Sequence, residues 1–226
     1  MSPVSLSDRA WPELVGRHPL LAVPVGSTEQ HGPHLPLDTD SRVAVAAAQG
    51  LAAVRADVVV APLLPVTSSG EHRGFPGTLS IGAAVFEEML VELARSADHF
   101  SGIVWVCGHG GNSEPLGRVV ERLAAEGRRS LAYLCGVPGG DAHAGRSETS
   151  LMLALAGESV RMDRAEAGND APWSELSSIV RRDGVRAASP NGVLGDPAGA
   201  SEAEGRDFLD GIVARLVDAV ARWNDD

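Results

Sequence analysis

A chain of 226 residues, 44% hydrophobic and 22% charged, is small enough for one core and close to globular averages, which excludes disordered and fibrous architectures and predicts a single domain over 1–226. Its formal charge of −11 repels polyanions, so neither nucleic acid nor an anionic membrane is expected as a partner. No apolar run reaches the roughly 20 residues that span a bilayer, and MSPVSLSDRAWPEL lacks the basic and apolar regions of a secretion signal, so a cytoplasmic location is expected.

Taken in chain order, continuous apolar stretches at 20–25, 58–62, 103–107 and 131–135 predict buried strands, because a sheet covered on both faces needs unbroken hydrophobicity. Helical periodicity falls between them at 41–54, 85–96 and 115–126. It resumes at 148–156 and in a last helix reaching Trp223, for which Ser201 and Glu204 form a capping box. Strand and helix therefore alternate, predicting a three-layer α/β/α sandwich with a largely parallel central sheet. The stretch 161–197, rich in Asp, Pro and Gly, reads as a long surface excursion with little periodicity, either a lid or substrate-contacting element or a plain variable loop. Cys107 and Cys135 end apolar runs and read as reduced thiols. The 19 basic residues are all arginine, a bias that by itself points to no function.

Five of the seven histidines lie in four Gly-rich polar clusters. Three clusters follow predicted strands, and open α/β sheets bind ligands beyond the carboxyl ends of their strands, so the clusters should converge. In the first, GSTEQHGPHLPLDTD, Glu29 and His31 are two residues apart and share a face of an extended segment, so both can reach a metal ion. Asp40 stands where the loop enters the next helix, a position from which a carboxylate can bridge two cations. His34, held between Pro33 and Pro36, suits a supporting role better than ligation. The second cluster puts Glu71 and His72 on a loop with turn chemistry, where they read as pocket wall. The third, CGHGGN, places His109 directly after a strand, with Cys107 behind it. Gly110 and Gly111 there allow close backbone approach and N–H donation to an oxyanion. The fourth, DAHAGRSETS, brings His143 on a loop and Glu148 near a helix start, where its charge also complements the helix dipole. Oxygen and imidazole donors without thiolate suit Zn, Mn or Fe.

GSTEQHGPHLPLDTD, EHRGFPGT, GHGGN, HAGRSETS and NGVLGDP resemble, in this order, the motifs of the creatininase family of metal-dependent amidohydrolases. The resemblance implies a three-layer α/β fold, a homo-oligomer and two divalent ions per chain (Zn, Fe or Mn) acting on a small-molecule or peptide substrate. Carried over residue by residue, it implies Glu29, His31, Asp40, His109 and Glu148 as ligands, with Asp40 as the bridge. His143 matches the acid/base residue, a role that suits imidazole because amines leave badly as anions. His34, His72, Cys107, Gly110 and Gly111 remain as residues supporting the ligands or contacting substrate.

Two positions depart from the creatinine hydrolases of that family. Gly111 stands where they carry Glu and Gly139 where they carry Trp, so a creatinine-binding aromatic wall is not expected. DAHAGRSETSLMLAL and RAASPNGVLGDPAGASEAEG instead resemble the branch associated with mycofactocin biosynthesis, which implies a peptidase removing a C-terminal Val-Tyr-derived unit from a modified precursor peptide. The alternatives are a creatinine or formamide hydrolase of the same family and, in another class, an inactive relative serving as a scaffold. Such a relative is expected to have lost ligands, and all five are present here.

Overall fold

All six residues of β1 (Leu20–Val25) are buried, as a central strand with helices on both faces requires. The computed structural model describes residues 5–225, so the first residues of MSPVSLSDRAWPEL and both ends of the expected 1–226 domain lie outside the described residues. After β1 the chain forms α1 (Thr39–Val54), β2 (Val58–Val60), α2 (Ala83–Ser96), β3 (Gly102–Cys107), α3 (Ser113–Ala125) and β4 (Ser130–Leu134). It continues with α4 (Arg146–Ala156), α5 (Trp173–Asp183), α6 (Val185–Ala188) and α7 (Glu202–Asp225). The four strands pair in the order β2-β1-β3-β4, every pair parallel.

Strand residues alternate between two cores, as the pleat dictates. Leu20, Ala22, Val104 and Val106 pack against α1, α4 and α7 through Leu51, Leu151, Ile212 and Leu216. Leu21, Val23, Ile103 and Trp105 pack against α2 and α3 through Phe86, Leu90, Leu116 and Leu123. These two cores are the outer interfaces of a three-layer α/β/α sandwich. No helix among the described residues is long and apolar enough to cross a membrane.

Two expectations change. The stretch 161–197 is not an irregular excursion: it holds α5 and α6, whose Leu176, Val180, Val185 and Ala188 form a small core with Leu194 and Phe75. Leu176, Ile179 and Val180 do follow helical spacing, but over less than two turns, too short a stripe to stand out among the flanking Asp, Pro and Gly. The capping box of α7 is half formed. Ser201 Oγ accepts the Glu204 N–H at 3.2 Å, whereas the Glu204 carboxylate accepts from Arg146 Nε at 3.0 Å and from Ser150 Oγ at 2.7 Å, tying α7 to α4.

Beyond the carboxyl end of β3 the chain meets the start of α1 so closely that a Cβ at Gly108 would lie 2.1 Å from the Asp40 carbonyl oxygen. Glycine there lets the loop after β3 and the first turn of α1 share one small volume.

Candidate metal centre

Glu29 and His31 lie on the loop after β1, Asp40 in the first turn of α1, His109 just after β3 and Glu148 in the first turn of α4. Their donor atoms fall into two groups, Glu29 with Asp40 and His109, and His31 with Asp40 and Glu148, each group lying within 4.8 Å. Asp40 belongs to both. Its Oδ1 is 3.1 Å from His31 Nε2, and its Oδ2 is 3.2 Å from His109 Nδ1 while accepting from Ser27 Oγ at 2.8 Å. Glu29 and His31 thus reach the same centre from the two groups, and their donor atoms also lie within 4.8 Å of one another and of His143.

Each imidazole keeps one nitrogen on a backbone carbonyl and turns the other inward. His31 Nδ1–H donates to the Glu29 carbonyl at 3.2 Å, and His109 Nε2–H donates to the Ser68 carbonyl at 3.0 Å. This arrangement fixes tautomer and ring plane, as metal-ligating histidines require.

Glu29 carries the clearest sign of a cation. Its carboxylate is wholly buried, with His72 Nε2 at 3.2 Å and His109 Nδ1 at 3.1 Å from Oε1. Neither contact is aligned as a hydrogen bond, and both oxygens are left without a partner. A carboxylate buried in this way costs several kcal/mol unless a positive charge compensates it. The imidazoles answer the same demand with protons. Burial disfavours a charged His31, yet Asp40, Glu148 and Glu29 together hold its pKa up at about 10. Burial likewise opposes a charged His109, and Glu29 and Asp40 raise it well above the usual histidine range. Asp40, despite burial, is held well below the usual carboxylate range by His31 and His109. A site this attractive to protons is attractive to divalent ions, which displace them on binding. The donor set therefore fits a metal.

A second layer surrounds these donors. The two Gln30 side-chain N–H groups reach His72 Nδ1 at 3.0 Å and the Gly192 carbonyl at 3.1 Å, and Gln30 Oε1 accepts from the Gly32 N–H at 2.8 Å. His72 is buried, and its pKa is pushed far down by burial and then by neighbouring His143. It lines the cavity, as the sequence suggested, and also serves there as a neutral link. His143 Nε2–H donates to the Gln30 carbonyl at 2.9 Å, which leaves Nδ1 facing Glu148 Oε2 at 4.0 Å. Its ring lies tilted against those of His31 and His72, with centroids 4.4 and 4.6 Å away. Burial, then the charge of His31, lowers its pKa. Ala144 adopts φ 53, and in that left-handed turn its N–H donates to Glu148 Oε2 at 2.6 Å, fixing the carboxylate. His34 stands apart, with Nε2 on Thr149 Oγ1 at 2.9 Å and its pKa lowered to about 4 by burial and then by His31 and His143.

The donors open onto a cavity of about 1180 Å³ whose floor includes Asp40, His109, His143 and Glu148. Glu71, expected as wall, reaches the centre itself: Oε1 lies 3.2 Å from His109 Nε2. It occupies the space over Gly111, where a Cβ would sit 1.9 Å from that oxygen. Gly110 faces open space. The Cys107 thiol is buried, donates to the His109 carbonyl at 3.2 Å and is pushed up to about 11 by burial, so it supports the His109 backbone.

A family model described as creatinine amidohydrolase matches residues 7–220. The chain belongs to the creatininase family. It is 47% identical, over 99% of its length and 93% of the relative's, to a protein of Mycolicibacterium smegmatis named mycofactocin precursor peptide peptidase. A protein of the same name from Mycobacterium ulcerans is 46% identical, with coverage of 93% and 88%. A solved creatinine amidohydrolase superposes with a TM-score of 0.82 at 26% identity, covering 98% of both chains. Within this creatininase fold, Ser27, Gln30 and Ser68 were missed by sequence reasoning. Gln30 had one available signal, its place between Glu29 and His31 in an otherwise donor-rich loop. Ser27 and Ser68 had none, because their oxygens matter only through contacts made across the chain.

Proposed function

We propose that this creatininase-family chain is a dinuclear metal-dependent peptidase that hydrolyses one amide bond of a modified precursor peptide, releasing a C-terminal Val-Tyr-derived unit. The observation that carries the reading is the pair of donor groups sharing Asp40 on the floor of a cavity large enough for several residues of peptide. The peptide, as against another amide, is supported by the identity of 47% to a named precursor peptide peptidase. It is also supported by Gly111 and Gly139 standing where creatinine hydrolases are expected to carry Glu and Trp.

Glu29, Asp40 and His109 would hold one ion, and His31, Asp40 and Glu148 the other. Oxygen and imidazole donors select Zn, Mn or Fe. When bound, such a pair supplies Lewis acidity toward an amide carbonyl and acidifies water at neutral pH. The chain supplies the rest. Gln30 and its carbonyl hold His143 in the tautomer that keeps Nε2–H occupied, so proton exchange takes place at Nδ1, the nitrogen on the Glu148 side. Because burial lowers its pKa, a protonated His143 is a strong donor to a departing amine nitrogen.

Metal-loaded protein incubated separately with the modified precursor peptide, creatinine and formamides, with products followed by mass spectrometry, tests this reading. Release of the C-terminal unit from the peptide is expected. Turnover of creatinine or a formamide with the peptide intact would overturn the peptidase, and no turnover of any of them would favour the scaffold.

A further inference from the structure

Five of the 19 arginines line the one cavity that holds the metal centre: Arg73, Arg118, Arg181, Arg182 and Arg186 surround its mouth. That concentration stands against a whole-chain charge of −11. Apart from Asp40, Glu71 and Glu148 at the centre, the lining carries only Glu114 and Asp183 to balance them, and Glu87 of α2 reaches Arg118 at 2.6 Å. Arg181 pairs with Glu114 at 3.1 Å and Arg182 with its neighbour Asp183 at 2.8 Å, all of them exposed. Pairs of this kind are weak and readily exchanged. Arg73 and Arg186 have no carboxylate partner among the described residues, and Arg186 is braced instead by the Gly74 carbonyl at 2.6 Å and the Phe75 ring.

These side chains are not on a loose loop. The core of Leu176, Val180 and Val185 fixes α5 and α6, and at Gly184 (φ 85) the chain runs so close to the Glu71 carbonyl that a Cβ would sit 2.9 Å from it. The wall is thus tied to the turn that carries Arg73. Trp173, 47% exposed, adds an aromatic surface to the same lining.

We propose that this arginine rim is a docking surface for acidic side chains of the substrate peptide on the amino-terminal side of the scissile bond. The inference rests on the peptidase reading. If a short C-terminal unit occupies the floor, the longer remainder must leave across the rim, where planar guanidinium groups match carboxylates in two-point contacts.

The test uses fluorescently labelled peptides carrying one common C-terminal segment behind leaders of alternating Gly-Glu, Gly-Gln or Gly-Lys. Binding to the metal-loaded full chain is read by anisotropy, alongside cleavage of the modified precursor peptide. The Glu leader should bind about tenfold or more tightly than the Gln leader at roughly 50 mM salt, with the difference shrinking as salt rises. The combined Arg181→Gln, Arg182→Gln and Arg186→Gln variant should lose the preference while keeping metal content and melting temperature. Arg73→Gln alone gives a second reading should the triple variant fail to fold. Equal binding of Glu and Gln leaders, preference for Lys, or a preference surviving these substitutions overturns the rim. So does a single-stranded oligonucleotide binding as tightly as the Glu leader, since that marks a general polyanion surface. Failure of cleavage with the Glu preference intact would count against the peptidase and leave the acidic-ligand surface standing.

Discussion

Gly111→Ala adds one methyl group at the most crowded point of the centre. A Cβ there would lie 2.5 Å from His109 Nε2, 2.9 Å from its Cε1 and 1.9 Å from Glu71 Oε1. The backbone accepts alanine, because Gly111 is not among the positive-φ positions. Glu71 can also swing toward the cavity. The His109 ring has no such freedom: it is held on one side by the Ser68 carbonyl at 3.0 Å and on the other by Glu29 and Asp40 at 3.1 and 3.2 Å. Reaching ordinary contact at 3.4 Å requires the ring to recede by about 0.9 Å, and even a tight 3.0 Å requires about 0.5 Å, against a tolerance of about 0.2 Å for a metal ligand. Displacement on that scale costs on the order of 100-fold in rate. The expected outcome is a folded protein whose ion content drops from about two toward one, the Glu29–Asp40–His109 group emptying first, with kcat/KM down roughly 100-fold. Gly110→Ala is the control, since its Cβ meets nothing within 4 Å. Elemental analysis after dialysis, thermal melting and peptide turnover read the three quantities. If Gly111→Ala kept two ions and full turnover while Gly110→Ala did the same, His109 would not be a ligand of the Glu29–Asp40 group.

Asp40→Asn removes the shared charge, so it should release both ions and exceed the roughly 10–100-fold loss of metal affinity typical of changes around a ligand; metal analysis showing two retained ions would remove the bridge. His143→Ala should keep the metal and lower turnover by roughly 10²–10⁴-fold, less for substrates with good leaving amines; loss of metal from this variant would instead make His143 a ligand. In the metal-free protein His31 has its folded pKa raised to about 10. The stability it contributes is therefore full below its ordinary value near 6.5 and lost as pH climbs toward 10. Burial raises the pKa of both cysteine thiols, adding a separate loss above about 9. Chelated protein should accordingly melt a few degrees lower at about pH 8.5 than at about pH 7. Metal-loaded protein should not, because the ion replaces the proton; equal slopes in the two forms would contradict the assignment.

The sheet was legible because its strands are buried on both faces and therefore unbroken in hydrophobicity. The residues 20–25 and 103–107 needed no partner to declare themselves, and β1 and β3 appear at Leu20–Val25 and Gly102–Cys107. The donors were legible for a related reason. Rigid Gly- and Pro-rich loops beyond parallel strands converge by topology, so local chemistry such as Glu29, His31 and His109 could be placed without tertiary knowledge. Glu71 was not, because what brings it to His109 is the absence of a side chain forty residues away at Gly111. That is a contact, and contacts of this kind leave no pattern in either segment alone.

The wall of the cavity failed to show for a different reason, and the difference bears on how such an enzyme is built. Leu176, Val180 and Val185 anchor α5 and α6 with a stripe of under two turns, too little to outweigh the Asp, Pro and Gly around it. The arginines of that wall looked like part of a chain-wide bias until the fold gathered five of them around one opening. Metal ligation tolerates displacements of only about 0.2 Å, which confines it to short, rigid, recognisable motifs. Recognition of a flexible acidic peptide by exposed guanidinium groups tolerates far more, since charge attraction falls off over about 10 Å at ordinary salt. Substrate preference in this fold can therefore be carried by residues whose spacing is loosely constrained, and it becomes readable only once the chain is folded.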